Sequence, residues 1–123
     1  MKKLFVILFA VAAVFGLASC SSSSPSGTVK AYYKALQAGE FEKALSYTDI
    51  TDQEEIQKQA AKLKSFDVKI IDFEILSEKI SEDGNSAVVE VKQTSTSAMN
   101  SQPEESKKTL ELVKVDGKWK LHE

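Results

Sequence analysis

The sequence contains one cysteine, one histidine and no arginine among its 123 residues. A single cysteine excludes a disulfide framework, and a soft-metal site would need further thiolate or imidazole ligands that the chain does not have. All 16 basic residues are lysines, set against 18 acidic residues, and the formal net charge is −2. Nucleic-acid binders need clustered basic side chains, so this composition excludes that class. We expect no cofactor and no metal.

The first 19 residues have the pattern of a secretory signal peptide. A short basic start, Met1–Lys3, precedes an uncharged apolar run, Leu4–Leu17. The run is shorter than the roughly 20 residues that a membrane-spanning helix needs, and its length is typical of a signal-peptide core. We therefore predict that residues 1–19 are removed after export.

Cys20 follows this run in the order Leu17-Ala18-Ser19-Cys20, which resembles the bacterial lipobox. The resemblance implies transfer of diacylglycerol to the Cys20 sulfur, cleavage before Cys20 and acylation of the new amine. One acyl chain binds a membrane only marginally, whereas two or three hold a protein stably. The alternative is an ordinary cleaved signal that leaves Cys20 as a free thiol.

Residues 20–27 are predicted to be the lipidated cysteine and a Ser-rich tether with nothing to bury. Among Gram-negative lipoproteins an Asp directly after the cysteine signals retention in the inner membrane. Ser21 stands there instead, and the tether has no acidic run of the kind that marks surface export in some bacteria. These features predict a protein of the outer membrane that faces the periplasm.

Residues 28–123 are predicted to form a single domain in which helices come first. The spacing of Val29, Tyr32, Tyr33 and Leu36 places them on one helix face. We expect Ser26 or Thr28 to cap this helix and Gly39 to follow its end. A second helix is predicted over Phe41–Thr48. A third, more exposed helix is predicted to open at Thr51–Glu54, which has the form of a capping box.

From Phe66 the apolar residues alternate, which indicates strands. Their parity changes between Ile70 and Ile71, as a β-bulge would cause. Three more strands are predicted, and the loop between the second and third is expected over Asn100–Glu105. The predicted strands are a return strand that begins at Ala87 and has a polar half over Gln93–Ser97, a third over Thr109–Val115, and a fourth over Lys118–His122. The fold class is therefore α+β, with three helices packed on a curved four-stranded antiparallel sheet.

The two ends of this domain resemble a known superfamily. Thr28–Leu45, in which a helix ends at a Gly and an acidic–aromatic pair opens the next, resembles the start of nuclear-transport-factor-2-like domains. Val115–Leu121 resembles their closing hairpin. Within that superfamily the chain is most similar to small bacterial lipoproteins grouped as a domain of unknown function, relatives of lumazine-binding-like domains. The resemblance implies a cystatin-like cone, often with a pocket at its open end.

Some members of that superfamily are ketosteroid-isomerase-like or polyketide-cyclase-like enzymes with an Asp or His inside the cone. Asp67 and Asp72 lie on the predicted first strand, and Asp72 alternates away from its apolar face. His122 is next to the last residue, where fraying is the default. We therefore predict no catalytic residue.

Aromatic residues are the candidates for a pocket lining, with their hydroxyls and an indole N–H turned inward. The alternative for these residues is a compact aromatic core with polar tips at the surface. The candidates are Tyr32, Tyr33, Tyr47, Phe73 and Trp119.

These features favour a non-enzymatic, membrane-anchored envelope module that binds a small apolar ligand or an envelope protein. One alternative is a ketosteroid-isomerase- or polyketide-cyclase-like enzyme. Another is a dimerising structural accessory protein, a homodimer whose interface would be an exposed apolar sheet face that includes Val88 and Val113.

Overall fold

A computed structural model describes residues 24–122 and shows three helices followed by a four-stranded antiparallel sheet. The sequence prediction of an α+β chain with helices first is confirmed. No helix within 24–122 is long and apolar enough to cross a membrane. The predictions for the leader and for Cys20 lie outside the described residues. The elements are α1 (Pro25–Gln37), α2 (Phe41–Leu45), α3 (Gln53–Ser65), β1 (Lys69–Ile80), β2 (Ser86–Ser97), β3 (Asn100–Val115) and β4 (Lys118–Leu121), and each strand pairs with the next.

Helix α1 begins earlier than the sequence predicted. The Ser24 hydroxyl oxygen accepts a hydrogen bond from the Gly27 N–H at 3.0 Å, so Ser24 is the N-cap. Pro25 takes the first helical position, where the absence of an N–H costs nothing. The prediction of a cap at Ser26 or Thr28 is wrong, because these residues already lie inside the helix. The helix therefore includes three residues that the sequence had assigned to the tether.

The ends of α2 and α3 also differ from the prediction. Helix α2 stops before Thr48, which instead forms a parallel bridge with Leu121 at the chain's end. The predicted capping box at the start of α3 is wrong. Asp52 is the N-cap, and its carboxylate accepts from the Glu54 N–H at 3.0 Å, so Thr51 precedes the cap.

Strand β1 contains two bulges. Its register against β2 shifts between Ile70 and Asp72, which confirms the bulge predicted from the parity change, and again between Ile75 and Ser77, which the sequence did not indicate. The strand starts at Lys69 rather than Phe66. Because each bulge adds one residue, the side chains on the helix-facing side follow an irregular series. That series is Ile70, Phe73, Ile75, Glu78 and Ile80, opposite Ser95, Gln93, Val91, Val89 and Ala87.

Strand β3 is much longer than predicted. The loop expected over Asn100–Glu105 is wrong, because this segment pairs with the polar half of β2, for example Glu105 with Thr94. Pro103 lies at the irregular end of this pairing, between two register positions. A strand at the edge of a sheet tolerates the missing N–H of a proline. The segment is polar throughout because neither of its faces is buried, so it lacks the apolar alternation from which a strand is predicted.

The main core lies between α1 and the half of the sheet that includes the β3–β4 hairpin. Its buried members are Val29, Tyr33, Ala35, Leu36, Ala44, Ile70, Ala87, Val89, Val91, Leu112, Trp119 and Leu121. A smaller cluster of Leu45, Ile56 and Ala60 joins α3 to α2. Within 24–122 every buried side-chain nitrogen or oxygen has a hydrogen-bond partner. Along β2 the buried residues stop at Val91, and the helix-facing positions beyond it on that strand are the polar Gln93 and Ser95.

Candidate functional site

Three aromatic candidates meet where α1 crosses β1. The Tyr33 ring stacks on Phe73, with centroids 5.1 Å apart and planes inclined by 18°. Tyr32 meets Tyr33 edge to face at 5.4 Å and 81°. Tyr33 is only 2% exposed, whereas Tyr32 and Phe73 are half-buried. The adjacent tyrosines therefore divide between the core and its rim.

The Tyr33 hydroxyl donates a hydrogen bond to the Gln93 side-chain oxygen at 2.7 Å. Burial, and to a smaller extent the nearby Tyr32, raise the pKa of Tyr33 to about 12. At neutral pH Tyr33 is therefore a neutral donor held in one orientation. This contact explains why β2 becomes polar at Gln93, because the carboxamide satisfies a hydroxyl that the core has taken from water.

The other two aromatic candidates lie apart from this group. Trp119 on β4 is 5% exposed and belongs to the core, with the Lys114 ammonium 5.2 Å from its ring centroid. Tyr47 lies between α2 and α3, and its backbone carbonyl accepts from the Leu121 N–H at 2.8 Å. The five candidates do not line one common pocket.

A cavity of about 220 Å³ lies between α1, β3 and the end of β4. Of the aromatic candidates only Tyr32 borders it. The remaining lining residues are Thr109, Leu110, Glu111, Leu121 and His122. The cavity is therefore a shallow site that combines one aromatic ring (Tyr32), one carboxylate (Glu111), one imidazole (His122) and the edge of a strand.

His122 borders this cavity and pairs with Asp49, with 2.7 Å between Nδ1 and Oδ2. The Asp49 backbone N–H donates to the Leu121 carbonyl at 2.7 Å, which places the two side chains together. No sequence pattern indicates this pair, because its members are 73 positions apart. The short parallel bridge between Thr48 and Leu121 brings Asp49 and His122 close together, and no sequence pattern predicts that bridge.

Glu78 is a second polar residue that the sequence did not single out. The second bulge turns it toward α1, where its carboxylate accepts from the Ser26 N–H at 2.9 Å and from the Ser26 hydroxyl. A carboxylate at a helix N-terminus is stabilised by the helix dipole and by unpaired N–H groups. Asp67 and Asp72, by contrast, are exposed, so neither is available as an enclosed base.

The outer face of the sheet is charged. The Lys92 ammonium lies between the carboxylates of Glu105, at 3.3 Å, and Glu74, at 3.5 Å. Both carboxylates raise the pKa of Lys92, and Glu105 has the larger effect. Val88 is 38% exposed but lies directly beside Glu111 in the register, and Val113 lies beside Lys120.

Two further features concern ligands. Between α2 and α3 runs an open groove of about 530 Å³, in which Phe41, Ala60 and Ala61 lie among polar and charged residues. Among residues 24–122 no group of three or more His, Cys, Asp or Glu side chains is placed to hold a metal ion.

Protein-family models give no match to the chain, and no curated protein matches it. Solved structures do match. A candidate NTF2-like transpeptidase from Campylobacter jejuni superposes with a TM-score of 0.51 at 22% identity, over 80% of this chain and 97% of that chain. A candidate polyketide cyclase from Pseudomonas putida gives 0.52 at 18% identity, over 79% and 86%.

A third solved structure also matches. It is a candidate dehydratase of the NTF2-like family from Streptomyces avermitilis, with a TM-score of 0.53 at 17% identity, over 77% of this chain and 88% of that chain. Identities this low establish the fold alone. The chain has a nuclear-transport-factor-2-like fold.

Proposed function

We propose that this protein is a lipid-anchored envelope protein, related to the small lipoproteins named above, that binds a protein partner beside Tyr32 and catalyses no reaction. The anchor is supported by the lipobox-like segment 17–20 behind a basic start and a short apolar run. The site is supported by one observation: Tyr32 borders an open cavity, while Tyr33 and Trp119 are buried in the core.

The early start of α1 brings the domain close to the bilayer. Four Cα steps separate Cys20 from the helix cap at Ser24, and a chain of that length reaches about 14 Å at most. The first turn of α1 would therefore lie next to the lipid headgroups. Ser21 supports an outer-membrane position facing the periplasm, as argued from the sequence.

The size of the cavity favours a protein partner over a small apolar ligand. At about 220 Å³ it is smaller than the roughly 300 Å³ at which ligand pockets usually begin. One or two inserted side chains would fill it. A strand edge beside it, at Thr109, offers backbone groups to an extended segment.

The anchor is tested by the intact mass of the full chain extracted from membranes, compared with Cys20→Ala. We expect the wild type to start at Cys20 and to carry the added mass of two or three acyl chains. We expect Cys20→Ala to lack that mass and to leave the membrane fraction. An unmodified Cys20 in the wild type would refute the anchor without affecting the fold.

The binding site is tested by a photo-crosslinking amino acid in the full chain, placed at Tyr32 or at the matched control Tyr47. We expect one discrete protein crosslink from position 32 and none from position 47. A solvent extract of the purified protein, analysed in parallel, tests the apolar-ligand alternative. A released lipid or metabolite together with no crosslink at position 32 would overturn the choice of a protein partner.

An enzyme is the second candidate, favoured by the Asp49–His122 pair at 2.7 Å beside the Tyr32 cavity. A carboxylate that orients an imidazole is an arrangement suited to proton abstraction. The test is deuterium exchange at the α-carbon of a 3-ketosteroid, measured with the wild type and with Asp49→Asn. Exchange above the buffer rate that Asp49→Asn removes would establish the enzyme reading, and exchange at the buffer rate would refute it.

A further inference from the structure

Among residues 24–122, strand β3 has a long unpaired edge on the side away from β2. Strand β4 covers only Leu112–Val115. One further hydrogen bond, from the His122 N–H to the Glu111 carbonyl at 2.8 Å, extends the cover by a single residue. Within the part of the chain that the structure describes, the segment 104–109 therefore pairs with β2 alone, and most of its side chains are exposed.

The hydrogen bonds at the end of β3 show which backbone groups point outward. The Lys114 N–H donates toward β2, to the Asn85 carbonyl at 2.9 Å, whereas the Glu111 carbonyl points toward β4. The register between Glu104 and Val113 is uninterrupted, so the direction alternates at every residue. The N–H and C=O groups of Glu105, Lys107 and Thr109 therefore face the open edge.

The side chains on this edge are self-complementary. Residues 104–108 read Glu-Glu-Ser-Lys-Lys. When two such segments run antiparallel about Ser106, each Glu104 lies opposite a Lys108, and each Glu105 lies opposite a Lys107. Opposite charges on directly facing residues stabilise strand pairs, and like charges destabilise them. The charge order thus selects a second copy of this segment in one register.

We propose that two copies of this chain pair antiparallel through the edge of β3, with the two-fold axis at Ser106, so that their sheets become one. In this register Glu105 of one copy and Lys107 of the other exchange both backbone hydrogen bonds. Ser106 faces its own counterpart as a non-hydrogen-bonded pair, with Cα atoms about 4.5 Å apart. Pro103 limits the pairing, because it has no N–H to donate.

The same register brings the second copy to the cavity. Pro103 of that copy lies opposite Thr109, which borders the cavity beside Tyr32, whereas the edge position beside Glu111 is already taken by His122. The second copy would therefore use the strand edge that the proposed function offers to a protein partner, and it is the partner that this inference names. This inference rests on the strand edge alone and does not depend on the lipid anchor.

The pairing is tested by Ser106→Cys in the full chain, with mild oxidation of membranes from cells that produce it. Facing residues of a non-hydrogen-bonded pair have a Cα separation that a disulfide accepts. We expect a disulfide-linked dimer from this variant. The matched controls are Ser81→Cys at the exposed β1–β2 turn and the wild type, whose sole cysteine is Cys20. If Ser106→Cys gives no more disulfide-linked dimer than the controls, the proposal is overturned. A disulfide that joins Ser106→Cys only to a different protein would also overturn it.

Charge reversal tests the register. Glu104→Lys places lysines opposite Lys108, and Lys108→Glu places glutamates opposite Glu104. In the Ser106→Cys background each change should therefore lower the yield of disulfide-linked dimer about fivefold. Combining both changes in one chain, or mixing the two single variants, restores opposite charges and should restore the dimer. Glu104 and Lys108 are both exposed, so neither change disturbs the core. Failure of both rescues would overturn the proposal.

Discussion

Tyr33 links two parts of the chain whose relation is invisible in the sequence. Its ring fills the core against Phe73, and its hydroxyl reaches the strand beyond, where Gln93 accepts the hydrogen bond. A leucine at position 93 would leave that hydroxyl buried without a partner, at a cost of about 1–3 kcal/mol. One buried hydroxyl thus accounts for a polar residue on the inner face of β2.

Tyr33→Phe removes this donor and should lower the free energy of unfolding by about 1 kcal/mol near neutral pH. The folded pKa of Tyr33 is raised from 10.0 to about 12, so the stability linked to its proton is present below pH 10. It is lost as the pH rises from 10 toward 12, with a slope of about 1.4 kcal/mol per pH unit. The measurement is urea unfolding of both proteins from pH 7 to pH 11.5. A wild-type advantage that stays constant above pH 10 would contradict the buried phenol.

Trp119→Ala separates a core role from a ligand role. Because Trp119 is 5% exposed and belongs to the main core, we expect a loss of about 3–5 kcal/mol in the free energy of unfolding. Met99→Ala, at an 84% exposed position, is the control and should change it by less than about 0.5 kcal/mol. Circular dichroism during urea unfolding reports both. A Trp119→Ala protein of wild-type stability would indicate that this indole serves a ligand instead.

At the scale of elements, the bulges of β1 decide which side chains meet the helices. Ile70 and Ile71 are neighbours of identical chemistry, yet Ile70 is 8% exposed and Ile71 is 51% exposed. The bulge places the extra residue outside the alternation, so only one of the two packs in the core. The parity change in the sequence was sufficient to predict this bulge, because apolar residues of both parities flank it.

Ile70→Ala and Ile71→Ala form a matched test of that bulge. We expect Ile70→Ala to lower the free energy of unfolding by about 2–4 kcal/mol, as for a buried large-to-small change. Ile71→Ala should lower it by less than about 0.5 kcal/mol, because the side chain is largely in water. Equal losses in urea unfolding would show that the register shift lies elsewhere in β1.

The second bulge was not predictable in the same way. Around Leu76 the inward position passes to Glu78, and a glutamate gives no hydropathy signal for a core-facing residue. Its reason is tertiary, since the carboxylate binds Ser26 at the start of α1. The long β3 was missed for a related reason: Asn100–Glu105 carries the composition of a loop, and only its pairing with β2 makes it a strand.

At the scale of the whole molecule, the two ends of the sheet have different positions in the proposed anchored state. The β1–β2 turn with Asp83 lies near the start of α1, through the contact of Glu78 with Ser26. The β2–β3 turn with Met99 lies at the opposite end of the same strands. The strands β1 and β2 each have 12 residues. Because a strand rises about 3.3 Å per residue, the two turns lie a full strand length apart.

Fluorophores attached at Asp83→Cys and at Met99→Cys test this orientation in the lipid-anchored full chain that also carries Glu104→Lys, because the antiparallel pairing through β3 would point the two copies in opposite directions. We expect spin-labelled lipids in vesicles to quench the label at position 83 more strongly than the label at position 99, because only the first turn lies near the anchored end. Equal quenching at the two positions, in a protein whose acylation the intact mass has verified, would contradict the orientation.

The sequence by itself determined the class of the fold, the order of its elements and the left-handed Gly39 after α1, whose φ is +78°. These follow from local periodicity and from conformations that glycine alone adopts easily. Only the tertiary structure decided that Asp49 meets His122, that Glu78 holds Ser26, and that Tyr32 rather than Trp119 borders a cavity. Each of these joins residues far apart in the chain, and such contacts depend on register and packing, which no local pattern encodes.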